Sequence, residues 1–246
     1  MNNSVAILSD IHGNAHALCA VLKDMADHGI NERVCLGDVV GYGGSPGDCI
    51  DLLMEHDIPC VQGNHDAMVT TGAGLDDVKG ATRQSIEWTR GVLTPGQKGW
   101  LNALHMTVQA EDYEAVHASL HHPADWAYVL RADAAALSFP HQTRPVCFIG
   151  HTHSPAFWVE GDELGVDITS IETLKPNRKC LVNVGAVGQP RDRDERACYA
   201  IYSRDTSRDT QDILWRRVPY DIAGAQQAII QAGLPAYFAQ RLELGR

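Results

Sequence analysis

The sequence has few basic residues and lacks the patterns that mark membrane spans. Its 20 Lys and Arg residues face 31 Asp and Glu residues, which gives a net charge of −11 at pH 7. This balance argues against nonspecific binding to nucleic acid, because such binding depends on clustered basic side chains that neutralise phosphates. No run of about 18 apolar residues occurs, and the opening "MNNSVAILSD" has no basic region before a long apolar stretch. We therefore expect no association with membranes.

Paired cysteine motifs are also missing. The seven cysteines are odd in number and include no C-x-x-C pair, so neither a zinc knuckle nor a dithiol redox centre is indicated. Cys35, Cys60 and Cys147 lie inside apolar runs, where free cysteine behaves as a small hydrophobic residue. We expect a reducing, cytoplasmic setting. With 246 residues, 44% of them hydrophobic, the chain can bury one substantial core, and residues 1–246 are predicted to form a single domain.

The first third of the chain alternates apolar runs with helical patterns. "VAILSD" (5–10) and "RVCLGD" (33–38) are each followed by a helical pattern, and "IPCVQGNHD" (58–66) is a third predicted strand. In the first helix the apolar positions are Ala17, Leu18, Val21, Leu22 and Met25. Successive strand-to-helix units favour a doubly wound α/β layout, in which the functional crevice lies outside the carboxyl ends of parallel strands.

The pattern changes after residue 66. Residues 67–112 look mainly helical and are predicted to be a cap inserted beside the crevice. After residue 155, four alternating apolar runs separated by turns suggest a second, antiparallel sheet, with "SRDTSRDT" (203–210) as a hairpin loop. Residues 221–246 are predicted to finish as a helix and a loose tail.

Five predicted strands share one feature, which is that each ends in Asp, Asn or His. The segments are "SDIHGN" (9–14), "LGDVVGYG" (36–43), "QGNHDA" (62–67), "VHAS" (116–119) and "GHTH" (150–153). Taken singly, these polar residues could be caps, turn formers or a buried histidine. Five such strand ends together are hard to explain as structural residues alone. Glycine beside most of them fits a functional site, because it lets the main chain approach a ligand closely.

In this order, the segments closely resemble the calcineurin-like metallophosphoesterase superfamily, whose pattern is D-x-H, G-D, G-N-H-D/E, H and G-H-x-H. The resemblance spans residues 5–155. It implies an α/β/β/α sandwich, that is, two stacked mixed β-sheets flanked by helices, with a small helical cap. It also implies two divalent metal ions, one held by Asp10, His12 and His153, the other by Asn64, His117 and His151, with Asp38 bridging both. His65 matches the histidine that lies beside the phosphate without binding metal.

The chemistry of these residue types fits that implication. Mixed nitrogen and oxygen donors suit Mn, Fe, Zn or Co, whereas an all-oxygen site would suggest Mg or Ca. A water bridging two such ions can ionise near neutral pH and attack phosphorus directly. Because only two carboxylates face a formal four positive charges, the crevice is expected to be locally cationic and to attract a small phosphorylated substrate. Seven histidines lie outside the pattern, and a structural role is preferred for them: His16, His28, His56, His105, His121, His122 and His141.

The second segment departs from the protein phosphatases of this superfamily. They continue as G-D-x-V-D-R-G, but Gly41 and Tyr42 stand here in place of the Asp that supports the catalytic histidine and the Arg that binds phosphate. His65 therefore needs another orienting partner. The stretches "GDVVGYGGSP", "IEWT" and "NVGAVGQPRD" instead resemble the small bacterial phosphodiesterase-like branch, some members of which cleave cyclic nucleotides, phosphodiesters or diadenosine polyphosphates.

Four further residues are candidate substrate contacts: Asn14, Tyr42, Gln189 and Arg191. Each has an alternative that stays open, namely a helix cap for Asn14, a packed aromatic for Tyr42 and a structural turn for the other two.

The predicted function is hydrolysis of a small phosphodiester or nucleotide, including dinucleoside polyphosphates, by a metal-bridging hydroxide, with His65 assisting. A catalytically silent metal-binding scaffold and a phosphomonoesterase are the alternatives. A hydrolase of the metallo-β-lactamase type is disfavoured, because its H-x-H-x-D-H signature is absent.

Overall fold

The computed structural model describes residues 2–162, 171–174, 178–205 and 210–246. Its strands are β1 (Asn2–Leu8), β2 (Glu32–Cys35), β3 (Thr107–Gln109), β4 (Tyr113–Val116), β5 (Val146–Ile149), β6 (Ala156–Val159), β7 (Ile171–Thr173), β8 (Cys180–Asn183), β9 (Ala197–Asp205) and β10 (Thr210–Val218). Its helices are α1 (Ala15–Asp27), α2 (Pro46–Glu55), α3 (Asn64–Thr71), α4 (Gly80–Val92), α5 (Pro95–Asn102), α6 (Ala132–Ala136), α7 (Ile222–Gln231) and α8 (Ala236–Gln240). Short 3₁₀ helices cover Pro123–Asp125, Phe139–His141 and Leu242–Leu244.

The described strands form two five-stranded mixed sheets. The first has the order β2-β1-β9-β10-β7 and the second β3-β4-β5-β8-β6. In the first sheet β1 and β2 are parallel; in the second β4, β5 and β8 are parallel. The remaining pairs in both sheets are antiparallel. The carboxyl ends of two parallel strands in the first sheet and of three in the second therefore lie at one edge.

Four layers follow from the burial of alternate residues along the strands. In β1, Val5 and Ile7 face the other sheet and share a core with Phe148 of β5, whereas Ala6 and Leu8 face the helical side and pack with α1. The outer face of the second sheet packs on the α6 region through a cluster that includes Phe139. The α/β/β/α sandwich with two mixed sheets is thereby confirmed.

The distribution of strands between the sheets differs from the prediction. We expected the strands after residue 155 to form a separate antiparallel sheet, but β9 and β10 join β1 in the first sheet and β6 and β8 join β5 in the second. The predicted strand at 58–66 is reduced to isolated bridges at Cys60 and Val61. Pro59, which has no amide hydrogen, and the turn at Gly63 limit its pairing.

The helical predictions are largely correct. The five apolar positions chosen for α1 are its buried residues. Thr94 caps α5, with Pro95 in the first turn. Helices α3, α4 and α5 lie within or at the start of the predicted cap segment, although residues 107–109 form β3. The loose tail was wrong, because α8 and the 3₁₀ turn after it bury Phe238 and Leu242.

Residues 206–209 of the predicted 203–210 hairpin loop lie outside the described residues. Asp205 and Thr210, on either side of them, pair as the last and first residues of β9 and β10.

Within the described ranges, no helix has both the length and the apolar character needed to cross a bilayer.

Candidate metal centre

Five loops meet at one edge of the sandwich, where the parallel strands end, and their backbones are tied together. The amide groups of Asp10 and His12 donate to the carbonyls of Gly37 and Asp38 at 3.0 and 2.9 Å. In the second sheet, the amide of Gly150 donates to the carbonyl of His117 at 2.8 Å. These bonds hold the polar ends of different strands in a fixed relation to one another.

The backbone at this edge is strained. Of the ten non-glycine residues with positive φ in the described part of the chain, six lie at the centre: Asp10 (54°), His12 (49°), Asp38 (50°), Tyr42 (61°), His151 (65°) and His153 (60°). Each such conformation costs on the order of 1–3 kcal/mol and persists only where its surroundings enforce it. Such clustering is typical of functional sites.

The first group of donors, which we call the Asp10 half, comprises Asp10, His12 and His153. Nε2 of His12 lies 3.0 Å from Nε2 of His153, and Oδ1 of Asp10 lies 3.3 Å from the latter nitrogen. Nδ1 of each ring faces a backbone carbonyl, that of Val40 for His12 at 3.0 Å and that of Gln189 for His153 at 2.6 Å. Because a carbonyl only accepts, Nδ1 carries the proton in each ring. In the neutral rings, Nε2 then presents its lone pair to the centre.

The second group, which we call the Asn64 half, comprises Asn64, His117 and His151. Nε2 of His117 lies 3.2 Å from both Oδ1 of Asn64 and Nδ1 of His151. Nδ1 of His117 donates to the carbonyl of Leu36 at 2.8 Å. His151 has no such anchor, and its Nε2 is buried with no hydrogen-bond partner in the described structure.

Asp38 lies between the two halves. Its Oδ2 is 3.6 Å from Nε2 of His12 and 3.3 Å from Nε2 of His117. Its Oδ1 accepts the amide hydrogen of His65 at 2.8 Å. Residue 63 must be glycine for this approach, since a Cβ there would lie 2.1 Å from that same oxygen. The structure thus brings all seven predicted metal ligands to one buried site.

His65, for which the sequence left the orienting partner open, lies beside the donors and packs against two aromatic rings. Its ring is 4.5 Å from that of Tyr42 and 4.8 Å from that of His12, and its Nδ1 is buried with no hydrogen-bond partner among the described residues. No side chain could support it from residue 41, because a Cβ on Gly41 would lie 2.4 Å from Nδ1. Packing against the Tyr42 ring therefore takes the place of a carboxylate.

Asp66 has a structural role. Oδ1 accepts the amides of Val39 and Val40 at 3.0 and 3.3 Å, and Oδ2 accepts that of Gly63 at 3.0 Å. Burial, together with the charge of Asp38, raises the pKa of Asp66 to about 7. The side chain fastens the Asp38 loop to the start of α3 and does not orient His65.

Burial controls the charges of the imidazoles. It lowers the pKa of His12 and of His153, and it lowers the pKa of His65 to about 4 and that of His151 to about 3. Burial opposes a charge on His117 too, but Asp38 outweighs it and raises the pKa of His117 to about 10. Four rings are thus neutral at pH 7 and hold lone pairs that a cation can use.

The donors fit divalent ions. Oδ1 of Asp10 is fully buried and accepts no hydrogen bond within the described residues. Three sets of side chains bring ligand atoms within 4.8 Å of one another: Asp10, His12, His153; His12, Asp38, His65; and Asp38, His117, His151. Lone pairs that face one another across about 3 Å repel unless a cation lies among them, and a mixture of imidazole and carboxylate donors suits transition metals.

Of the four candidate substrate contacts, Asn14 is used within the fold, whereas the other three lie at or next to the mouth of the centre. Asn14 caps α1 by accepting the amide of Ala17 at 3.1 Å, and its amide donates to the carbonyl of Gly188 at 2.9 Å, so both ends of its side chain are used within the fold. Gln189 is buried and accepts from Nη2 of Arg191 at 3.2 Å. The guanidinium carbon of Arg191 lies 5.8 Å from the ring centre of Tyr42, which places both residues at the mouth of the centre.

Several residues at the mouth were missed from the sequence. Tyr128 stacks on His151 with ring centres 4.1 Å apart, and Trp126 meets His117 edge-on at 5.8 Å. Both lie in a loop without apolar periodicity, so nothing local marked them. The third is Phe238, in the segment that we expected to be a loose tail; its ring lies 4.9 Å from that of Tyr42.

Comparisons with known proteins agree with this geometry. The family model for the calcineurin-like phosphoesterase superfamily domain matches residues 4–207. The chain is 33% identical over 258 residues to uncharacterized protein MJ0912 of Methanocaldococcus jannaschii, with the whole of both chains covered. A metallophosphoesterase of Sphaerobacter thermophilus, of known crystal structure, is 33% identical; the match covers 99% of this chain and 100% of that one, with a TM-score of 0.85.

Proposed function

Because the chain belongs to the calcineurin-like phosphoesterase superfamily, we propose that it uses two metal ions to hydrolyse a small phosphodiester or nucleotide. The resemblance predicted from the motifs is confirmed, and the protein is a metal-dependent phosphoester hydrolase. The number of ions, the ligand assignments, the substrate and the course of the reaction are the proposed part. A cytoplasmic setting also belongs to the proposal and rests on the cysteine pattern of the sequence.

The observation that carries the proposal is the arrangement of potential ligand atoms around Asp38. Nε2 of His12 and Nε2 of His153 are 3.0 Å apart on one side of it, and Nε2 of His117 and Nδ1 of His151 are 3.2 Å apart on the other. This supports one ion in the Asp10 half, one in the Asn64 half, and Asp38 as the ligand that they share. Mn, Fe, Zn and Co are the candidate metals.

The bound ions would supply a water that ionises near neutral pH and the positive charge that neutralises the phosphoryl oxygens. The residues of the chain supply position. Anchored imidazoles keep their lone pairs directed inward, and His65 donates a hydrogen bond to the departing oxygen. At the mouth of the centre, Arg191 is held by Gln189 and binds a phosphate oxygen of the substrate, while the Tyr42 ring packs against the guanidinium group.

The test is a reconstitution panel. Metal-stripped protein is reloaded with Mn, Fe, Zn, Co or Mg and assayed against phosphomonoesters, single-phosphate diesters, cyclic nucleotides and dinucleoside polyphosphates. We expect turnover of a diester or a dinucleoside polyphosphate with at least one transition metal. Turnover of monoesters alone would instead indicate a phosphomonoesterase, and no turnover with any metal would indicate a silent scaffold.

A further inference from the structure

An open groove lies beside the Asn64 half and begins at Tyr128. Its volume is about 440 Å³, which is within the range of sites that take small molecules. The Tyr128 ring lines the groove and stacks on the ring of His151, with the ring centres 4.1 Å apart. A single aromatic ring therefore separates the groove from a proposed metal ligand. The lining residues are Tyr128, Leu130, Arg131, Asp133, Ala134 and Leu137.

The lining of the groove is apolar and exposed. Tyr128 is 54% exposed, Leu130 is 66% exposed and Leu137 is 52% exposed. Three of the eight large apolar side chains that are exposed in the described part of the chain thus line this one groove. Its two charged residues, Arg131 and Asp133, pair with each other at 2.6 Å, so their charges balance. Such a lining suits a neutral apolar group better than a further anion, because an anion would lose water without gaining a partner.

The fold holds the wall of the groove in place. Val129, between the two exposed residues of this wall, is 3% exposed and packs with Phe139 in the outer layer of the second sheet. Trp126 has a φ of 53°, and its ring meets that of His117 edge-on at 5.8 Å. Positive φ in so bulky a residue is a strained conformation, which persists only where the surroundings enforce it and which is typical of functional sites. The apolar wall is therefore a fixed surface beside the donors.

We propose that this groove binds an apolar organic group of the substrate, an alkyl or aryl group joined to the phosphate through an ester oxygen. The inference rests on the proposed function, because it requires the phosphate to lie at the metal donors, next to His151. An ester group that extends from there past Tyr128 removes apolar surface of Leu130 and Leu137 from water, and the free energy gained grows with the apolar area covered. These two leucines are thus specificity-determining residues, and the substrate class is a phosphoester with an apolar group.

The experiment compares two phosphonates that differ only in the length of an alkyl chain. Binding of methylphosphonate and of hexylphosphonate to the metal-loaded protein is measured by calorimetry, so no turnover is required. We expect the wild-type protein to bind hexylphosphonate roughly 10- to 100-fold more tightly, because an open groove covers only part of each added methylene. Leu130→Ser should lower this ratio by about 3- to 10-fold and leave the affinity for methylphosphonate within about 2-fold, since it removes apolar surface but no metal donor.

The matched control is Leu244→Ser. Leu244 is 51% exposed, lies in the 3₁₀ turn Leu242–Leu244 and does not line the groove, so its substitution should leave the ratio unchanged. Leu137→Ser, which alters the groove at a second position, should repeat the effect of Leu130→Ser, and thermal unfolding of each variant checks that the fold is retained. Equal affinities of the wild-type protein for the two phosphonates, or equal ratios in Leu130→Ser and Leu244→Ser, would overturn the inference.

Failure of the inference can be told apart from failure of the proposed function. If the metal-loaded protein hydrolyses a phosphodiester but binds hexylphosphonate no better than methylphosphonate, only the inference is lost. If it hydrolyses no phosphoester with any metal, the proposed function is lost, and the binding measurement still decides whether the groove holds an apolar group beside the donors.

Discussion

The Asp10 half and the Asn64 half of the centre contain similar donors but hold them differently. In the Asp10 half, both imidazoles donate from Nδ1 to backbone carbonyls. In the Asn64 half, only His117 is anchored in this way. His151 turns Nδ1 toward the centre, leaves Nε2 without a hydrogen-bond partner in the described structure, and stacks on Tyr128, which is 54% exposed.

This difference matters because hydrogen bonds behind a ligand fix its orientation and typically change metal affinity by about 10- to 100-fold. The Asp10 half is ready to bind an ion without moving its rings. In the Asn64 half, the ring of His151 is held mainly by the exposed ring of Tyr128. We therefore expect the ion in the Asp10 half to be the more firmly held, with Asp38 coupling the two.

The largest effect is expected from Asp38→Asn, because this residue serves both halves. Loss of the shared negative charge should empty both sites, and turnover should fall by at least about 10⁴-fold, since both the activated water and the charge neutralisation are lost. Metal content by mass spectrometry and kcat are the measurements. Asp27→Asn, an exposed carboxylate of α1 that pairs with Lys23, is the matched control. Full loading with two ions in Asp38→Asn would refute the shared ligand.

His65→Ala should separate catalysis from metal binding, because His65 belongs to neither half. Loss of the donor to the departing oxygen should lower kcat by roughly 10²–10⁴-fold while both ions remain bound. Kinetics and metal analysis of the same preparation are the measurements. Nearly unchanged turnover would remove His65 from the mechanism, and loss of one ion would make it a metal ligand.

The difference between the halves is tested by two variants, each of which should retain one ion. His151→Gln leaves the Asp10 half intact, and His153→Gln leaves the Asn64 half intact. Under excess chelator, the ion that remains in His151→Gln should be released at least about 10-fold more slowly than the ion in His153→Gln, because its imidazoles are anchored by carbonyls. The reverse order would show that anchoring does not determine retention here.

The two halves also show how far a sequence can be interpreted. All seven proposed ligands and His65 directly follow an apolar run or lie within four residues of its end, so local pattern and the rule for parallel strands predicted that they would meet. The split into two sheets was not predictable in this way. One of the two neighbours of β1 in the first sheet is β9, far along the chain, and local alternation does not specify which distant strand pairs with which.

The missed residues have the same explanation. Trp126 and Tyr128 reach the Asn64 half from a loop that includes the 3₁₀ turn Pro123–Asp125, and α8 reaches the mouth through the packing of Phe238 on Tyr42. These are tertiary contacts between segments with no common pattern. The proposed metal ligands are thus marked in the sequence, whereas the side chains that support or surround them are largely not.

The smallest effect is expected from Tyr128→Leu, which removes the aromatic support of His151 and leaves every donor in place. Metal affinity of the Asn64 half should fall by about 2- to 10-fold, below the full value of an anchoring hydrogen bond, because an exposed stacking contact is weaker. The free energy of unfolding should change by no more than about 0.5 kcal/mol, since the ring is largely at the surface. Competition of two-ion protein with a graded chelator measures the affinity.

Tyr237→Leu is the matched control. The Tyr237 ring is 56% exposed and contacts neither half, so its loss should not alter metal affinity. Equal effects of the two substitutions would mean that stacking on His151 contributes nothing, and the weaker retention in the Asn64 half would then depend on the missing hydrogen bond alone.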